Sequence, residues 1–131
     1  MTSQNQIRIA MWSGPRNIST AMMRSFENRE DTFVIDEPFY AYYLYKTGFD
    51  HPGREDVLKA QSTKWEDVVK LIIGKIPEKK LICYQKHMVH HIVNGRNIAW
   101  VKFFNNCLLI RHPKDVIISY AKQSPINGIN D

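Results

Sequence analysis

With 131 residues, 44% of them hydrophobic and 24% charged, the chain has ordinary globular composition and enough length for one domain with a real core. Two cysteines exclude a disulfide-built scaffold, and without a leader or an apolar run of membrane-spanning length the expected location is the cytoplasm. The net charge of +5 suits an anionic ligand, while the scatter of the basic residues argues against nucleic acid.

The first predicted element is an apolar strand at 7–12. It runs into Ser13-Gly14-Pro15-Arg16-Asn17-Ile18-Ser19-Thr20 and then a helix at 18–29. A strand–loop–helix unit of this kind aims successive backbone N–H groups and the positive end of a helix dipole at one place, which makes an anion site. Arg16 adds a permanent cation with a planar fork of donors, and Ser19 and Thr20 add hydroxyls. The loop lacks the Gly-Lys-[Ser/Thr] ending of nucleotide kinases. Its plainer reading is a helix capped by Asn17 or Ser19.

A strand at 32–36 ends in Asp36-Glu37-Pro38-Phe39-Tyr40 and leads to a helix at 39–46. Glu37 is a candidate base, or else a carboxylate complementing the helix dipole. The aromatics Phe39, Tyr40, Tyr42, Tyr43 and Tyr45 frame a pocket or pack on a sheet. Residues 47–62, with Gly48, Pro52 and Gly53, read as a loop. A helix at 64–76 carries Trp65, Val68, Val69, Ile72 and Ile76 on one stripe. Lys79-Lys80 reads as a solvated turn before a strand at 80–86, which runs into Gln85-Lys86-His87-Met88. His87, His90 and His91 have the spacing of one helical face, yet no carboxylate or cysteine at ligand spacing supports a metal, and none is expected. One functional histidine and two surface ones are expected instead.

The last strand, 106–111, ends at Arg111, and Pro113 suits the first position of a helix at 113–123. Arg111 and Ser119 can converge on a second anion, so the ligand is expected to carry two separated anionic groups. Cys83 and Cys107 fall inside strands and read as buried thiols. Strands alternating with helices predict an α/β fold with a parallel sheet whose ligand lies beyond the carboxyl ends of the strands.

In this order the motifs resemble the amino-terminal half of the P-loop sulfotransferases, which use 3'-phosphoadenosine 5'-phosphosulfate. The stretch Ser13, Gly14, Pro15, Arg16, Asn17, Ile18, Ser19, Thr20 is similar to the family's 5'-phosphosulfate loop, with Arg16 where many members carry Lys. Arg111-His112-Pro113-Lys114-Asp115-Val116-Ile117-Ile118-Ser119-Tyr120 is similar to the 3'-phosphate signature, in which the Arg and the Ser hold that phosphate. Asp36–Tyr40 resembles a Glu-Pro element, and Gln85–Met88 resembles a Lys-x-His element. The resemblance implies one P-loop NTPase-like, three-layer α/β/α domain over 1–131, with sheet order 2-3-1-4. It also implies sulfuryl transfer from 3'-phosphoadenosine 5'-phosphosulfate to a hydroxyl or amine of a small-molecule or carbohydrate-like acceptor. No metal, nucleic acid or membrane takes part in that reading. Arg16 would stabilise developing charge, and Glu37, ahead of His87, would act as base.

The chain departs from the family pattern at Ile18, where many loops have Gly, and at Ala21, where an aromatic often follows the hydroxyls. The Gly-rich segment that closes over adenine in the family has no counterpart in the sequence. The chain is therefore expected to be an amino-terminal portion with an open sheet edge, which predicts a self-associated species or a weakly stable monomer. Two rival readings are a small-molecule kinase with Mg²⁺ on Asp36 or Glu37, and a non-catalytic nucleotide-binding member.

Overall fold

Side chains alternate across Ile7–Ser13, and this segment forms β1, an inner strand of a four-stranded parallel sheet of order β2-β3-β1-β4. The computed structural model describes residues 5–93 and 96–123. After β1 come α1 (Ser19–Glu27), β2 (Thr32–Asp36), α2 (Tyr40–Thr47), α3 (Arg54–Ala60), α4 (Trp65–Ile72), β3 (Ile82–Met88), β4 (Asn105–Leu109) and α5 (Pro113–Gln123). Single 3-10 segments cover Val89–His91 and Ala99–Phe103. The α/β class and the strand order are those expected from the sequence.

The register sets the strand ends level. Trp12 lies opposite His87, Ser13 opposite Met88, and Asp36 opposite Lys86, so three loops leave the sheet side by side. On one face α1 packs through Met23, buried, and through Phe26, whose ring stacks on Tyr84 with centroids 4.3 Å apart. On the other, Ala10, Phe39, Tyr42, Trp65, Val68, Ile72, Trp100 and Phe104 form the main core. Each such side chain contributes roughly 1.5–3 kcal/mol when taken from water.

Several expectations are corrected. Arg54–Ala60, expected as loop, is helical; it buries no residue, so it carries no apolar stripe to reveal it. The helix expected over 64–76 stops at Ile72, and Ile76 is buried from outside it. A Cβ on Gly74 would meet the Lys70 carbonyl at 3.1 Å, so the chain turns closely there. Cys107 lies in a strand but is exposed, because β4 is the sheet edge; Cys83 is buried as expected. The histidine expectation also changes: His87 and His91 are buried and His90 is exposed. Tyr45 is exposed, whereas Phe39, Tyr42 and Tyr43 pack in the interior.

Candidate functional site

The loop between β1 and α1 is bound to β4 and α5 by three hydrogen bonds. Asn17 Nδ2 donates to the Leu109 carbonyl at 3.1 Å, Arg111 Nη1 to the Arg16 carbonyl at 2.6 Å, and Arg16 Nε to Ser119 Oγ at 2.8 Å. Arg16, Arg111 and Ser119 therefore sit in one cluster, with Arg16 between the other two. The two anion sites expected at opposite ends of the sequence are neighbours in space.

The plainer reading of the loop meets a direct test. The N-cap residue of α1 is Ile18, no side chain caps the helix, and its first turn holds no acidic residue. Asn17 is turned towards β4 instead, and Ser19 is already helical. The first N–H groups of α1 thus have no side-chain acceptor, the arrangement an anion needs. Ser13 is buried and its Oγ lies 3.6 Å from Met88 Sδ, while Gly14 and Pro15 line a groove of about 470 Å³ that continues over Leu109, Arg111 and Val116.

Lys86, named in the sequence only as part of a motif, is the centre of the second cluster. Its side chain is 6% exposed, and Nζ donates to Thr20 Oγ1 at 3.0 Å and to Glu37 Oε2 at 2.9 Å, with Asp36 Oδ1 at 3.6 Å. A buried ammonium survives only when paired in this way. Glu37 is fixed from several sides: its N–H donates to the Lys86 carbonyl, and its own carbonyl accepts from Gln61 Nε2 at 3.1 Å. Its Oε1 lies 3.8 Å from His91 Nε2. Burial first, then the surrounding imidazoles and Lys86, push His91 down to about 3, so that contact joins a carboxylate to a neutral ring and is not an ion pair. Tyr40 and Tyr43 stack on His91, each with a centroid separation of 4.9 Å, and Nδ1 of His91 has no partner among the described residues.

His87 stands apart from both clusters. Adjacent strand residues face opposite ways, so Lys86 reaches Thr20 and Glu37 while His87 packs against Trp12 at 4.7 Å and Phe39 at 6.0 Å. Burial pushes His87 down to about 3, and its ring Nε2 donates to Gln85 Oε1 at 3.0 Å. A Lys-x-His spacing would put both groups on one face; here they are consecutive. His91, expected at the surface, takes the place beside Glu37. Among the described residues no group of three or more His, Cys, Asp or Glu is arranged to hold a metal, and no helix is long and apolar enough to cross a membrane.

Comparison with known proteins adds a family. Residues 7–129 match the family described as the sulfotransferase domain. Two Arabidopsis thaliana proteins, branched-chain-amino-acid aminotransferase-like proteins 1 and 2, are 39% and 37% identical to this chain over 117 residues. The match covers 89% of this chain and 21% of each relative, so the chain spans about a fifth of their length. No solved structure is a significant match.

Proposed function

The chain belongs to the sulfotransferase domain family, and from that premise we propose that it transfers a sulfuryl group from 3'-phosphoadenosine 5'-phosphosulfate to a hydroxyl or amine of a small acceptor. The observation that carries this reading is the convergence of Arg16, Arg111 and Ser119 beside the uncapped start of α1. Residues of both predicted phosphate elements meet there, next to a groove large enough for a nucleotide end.

The residues present fit such a donor: the first N–H groups of α1, which carry no side-chain cap, the Arg16 fork, and the hydroxyls of Ser19 and Thr20 for its 5' end, and Arg111 with Ser119 for its 3'-phosphate. When bound, the donor supplies an activated sulfuryl group on a phosphate leaving group. Transfers of this type pass through loose transition states in which positioning and charge stabilisation dominate. Lys86 sets a cation against the Thr20 hydroxyl and Arg16 sets a second beside Ser119, and between them they stabilise the negative charge that develops on the donor. Glu37, ion-paired through Oε2, keeps Oε1 as the proton acceptor for the attacking hydroxyl. The burial of His87 in the aromatic layer supports Glu37 over His87 as base. Asp36 and Glu37 both face Lys86, at 3.6 and 2.9 Å, which disfavours the kinase reading with Mg²⁺ on these carboxylates.

The test is a calorimetric titration with 3'-phosphoadenosine 5'-phosphate beside ATP and AMP. The bisphosphate is expected to bind more tightly than AMP, and Arg16→Ala to weaken it about ten- to a hundredfold, the loss of about 1.5–3 kcal/mol typical of a charge-assisted bond. Equal affinity for the bisphosphate and AMP overturns the reading.

A further inference from the structure

A second basic site lies away from the phosphate loop. The carboxyl end of α2, the start of α4 and Arg96 form a crevice of about 280 Å³ whose lining includes Tyr42, Tyr45, Lys46, Lys64, Arg96 and one carboxylate, Glu66. Tyr42 is fully buried, and its hydroxyl accepts a hydrogen bond from Arg96 Nε at 3.1 Å while donating to the Val93 carbonyl at 3.4 Å. The guanidinium carbon stands 5.9 Å from the Tyr42 ring centroid, so the fork is held from its Nε edge and against a ring. Lys46 Nζ sits 6.0 Å from the Tyr42 ring and 5.9 Å from that of Tyr45.

None of Lys46, Lys64 and Arg96 makes an ion pair among the described residues. The Tyr42 hydrogen bond first, and Glu66 least, outweigh desolvation and raise the Arg96 guanidinium further into its charged form. Three cations facing one carboxylate leave an uncompensated positive potential in a small crevice, and an oriented arginine pays little to bind an oxyanion.

We infer that this crevice binds a carboxylate or sulfate group carried by the acceptor, which makes the acceptor an acidic molecule. The word acceptor rests on the sulfuryl-transfer reading; the anion site itself rests on the crevice. Helix α2 joins the two places. Tyr40 stands three residues after Glu37, and Lys46 follows six residues later, about 9 Å along the helix axis. Six residues also turn the helix by about 240°, so an acceptor that presents its hydroxyl at Glu37 and its anionic group to Arg96 and Lys46 has to curve round α2 and be longer than that rise.

The experiment is a nuclear magnetic resonance titration of the protein saturated with 3'-phosphoadenosine 5'-phosphate, which keeps added anions off the phosphate loop. Glucuronate, inorganic sulfate and uncharged glucose are the three probes. Glucuronate and sulfate are expected to shift the Arg96 Nε–H and the amides of Tyr45, Lys46 and Lys64, with glucose giving no shift. An Arg96→Gln, Lys46→Gln double variant should bind glucuronate at least tenfold more weakly. Lys64→Gln, which leaves the Tyr42 hydrogen bond intact, should weaken it less. Equal shifts with glucose, no shift at these residues, or unchanged affinity in the double variant would overturn the inference. Should the bisphosphate itself fail to bind, the sulfuryl-transfer reading falls, while the same anion titration without it still decides the crevice.

Discussion

Arg16 and Glu37 both hold positive φ, 60° and 45°, a region that costs a non-glycine residue of order 1–3 kcal/mol. That two of the residues singled out for chemistry also carry strain supports their placement in a site, since such strain persists only where neighbours enforce it. Arg111 fastens the Arg16 carbonyl, so its removal tests two roles at once. Arg111→Ala is expected to weaken the bisphosphate about ten- to a hundredfold and leave AMP nearly untouched, as read by calorimetry. An equal loss for both would assign Arg111 to loop fastening alone. The Lys86–Glu37 pair gives an asymmetric prediction. Glu37→Gln keeps an oxygen acceptor but leaves Asp36, at 3.6 Å, as the one carboxylate facing the buried ammonium, and should cost about 1.5–3 kcal/mol of stability together with turnover, at unchanged bisphosphate affinity. Lys86→Met leaves carboxylates that water can reach, Glu37 at 24% and Asp36 at 48% side-chain exposure, and should cost less in a denaturant titration. Arg16, Glu37 and Arg111 are legible in the sequence as candidates because each follows a strand, and Ser119 because it lies two turns into the helix after the last strand. The roles of Lys86 and His91 were not, since they depend on register between strands and on the stacking of Tyr40 and Tyr43.

At the scale of elements, α1 combines an open start with exposed Ile18 as its N-cap residue. Helices with free first-turn amides give up stability that an acidic side chain would supply. Ile18→Asp should therefore stabilise the protein by about 0.3–1 kcal/mol in a thermal melt, and weaken bisphosphate binding by placing a carboxylate where the anion belongs. Gain in both properties would show that the N-terminus of α1 is not the anion site. Legibility followed burial here as well. All four strands and α1, α2, α4 and α5 have an apolar pattern or flanking turn residues that announce them, with the bounds of β2 and α5 as expected and the others displaced by at most four residues. α3 buries nothing and left no pattern, and the exposure of Cys107 could not be read because a strand's place at the sheet edge is a property of topology.

For the whole molecule, two properties follow from where apolar and titratable groups lie. Among the described residues β4 pairs with β1 alone and exposes Leu108 at 71% beside Ile110 at 84%, an edge and apolar side chains that favour pairing with a second copy. Sedimentation should show self-association that Leu108→Lys reduces. The second property is a stability plateau bounded by buried neutral groups. His87 and His91 are pushed down to about 3, and His90 is lowered as well, by burial. In the unfolded chain these imidazoles bind protons near pH 6.5, so below that pH the unfolded state takes up more protons than the folded one. Stability is then fully present above about pH 6.5 and is lost as pH falls towards 3, by up to roughly 1.4 kcal/mol per pH unit for each of His87 and His91. Cys83 and Tyr84 set the other limit: burial pushes the thiol up and the phenol up to about 12, so both groups ionise first in the unfolded chain and stability declines as pH rises through about 9 and on past about 10. Urea midpoints measured from pH 4 to pH 8 should rise steeply and flatten near 6.5. His91→Phe keeps a ring between Tyr40 and Tyr43 and removes both the titrating group and its unpartnered Nδ1. That variant should be at least as stable at pH 5 as the parent and lose close to half of the acid slope; an unchanged slope would mean that His91 is not the buried neutral base that its surroundings dictate.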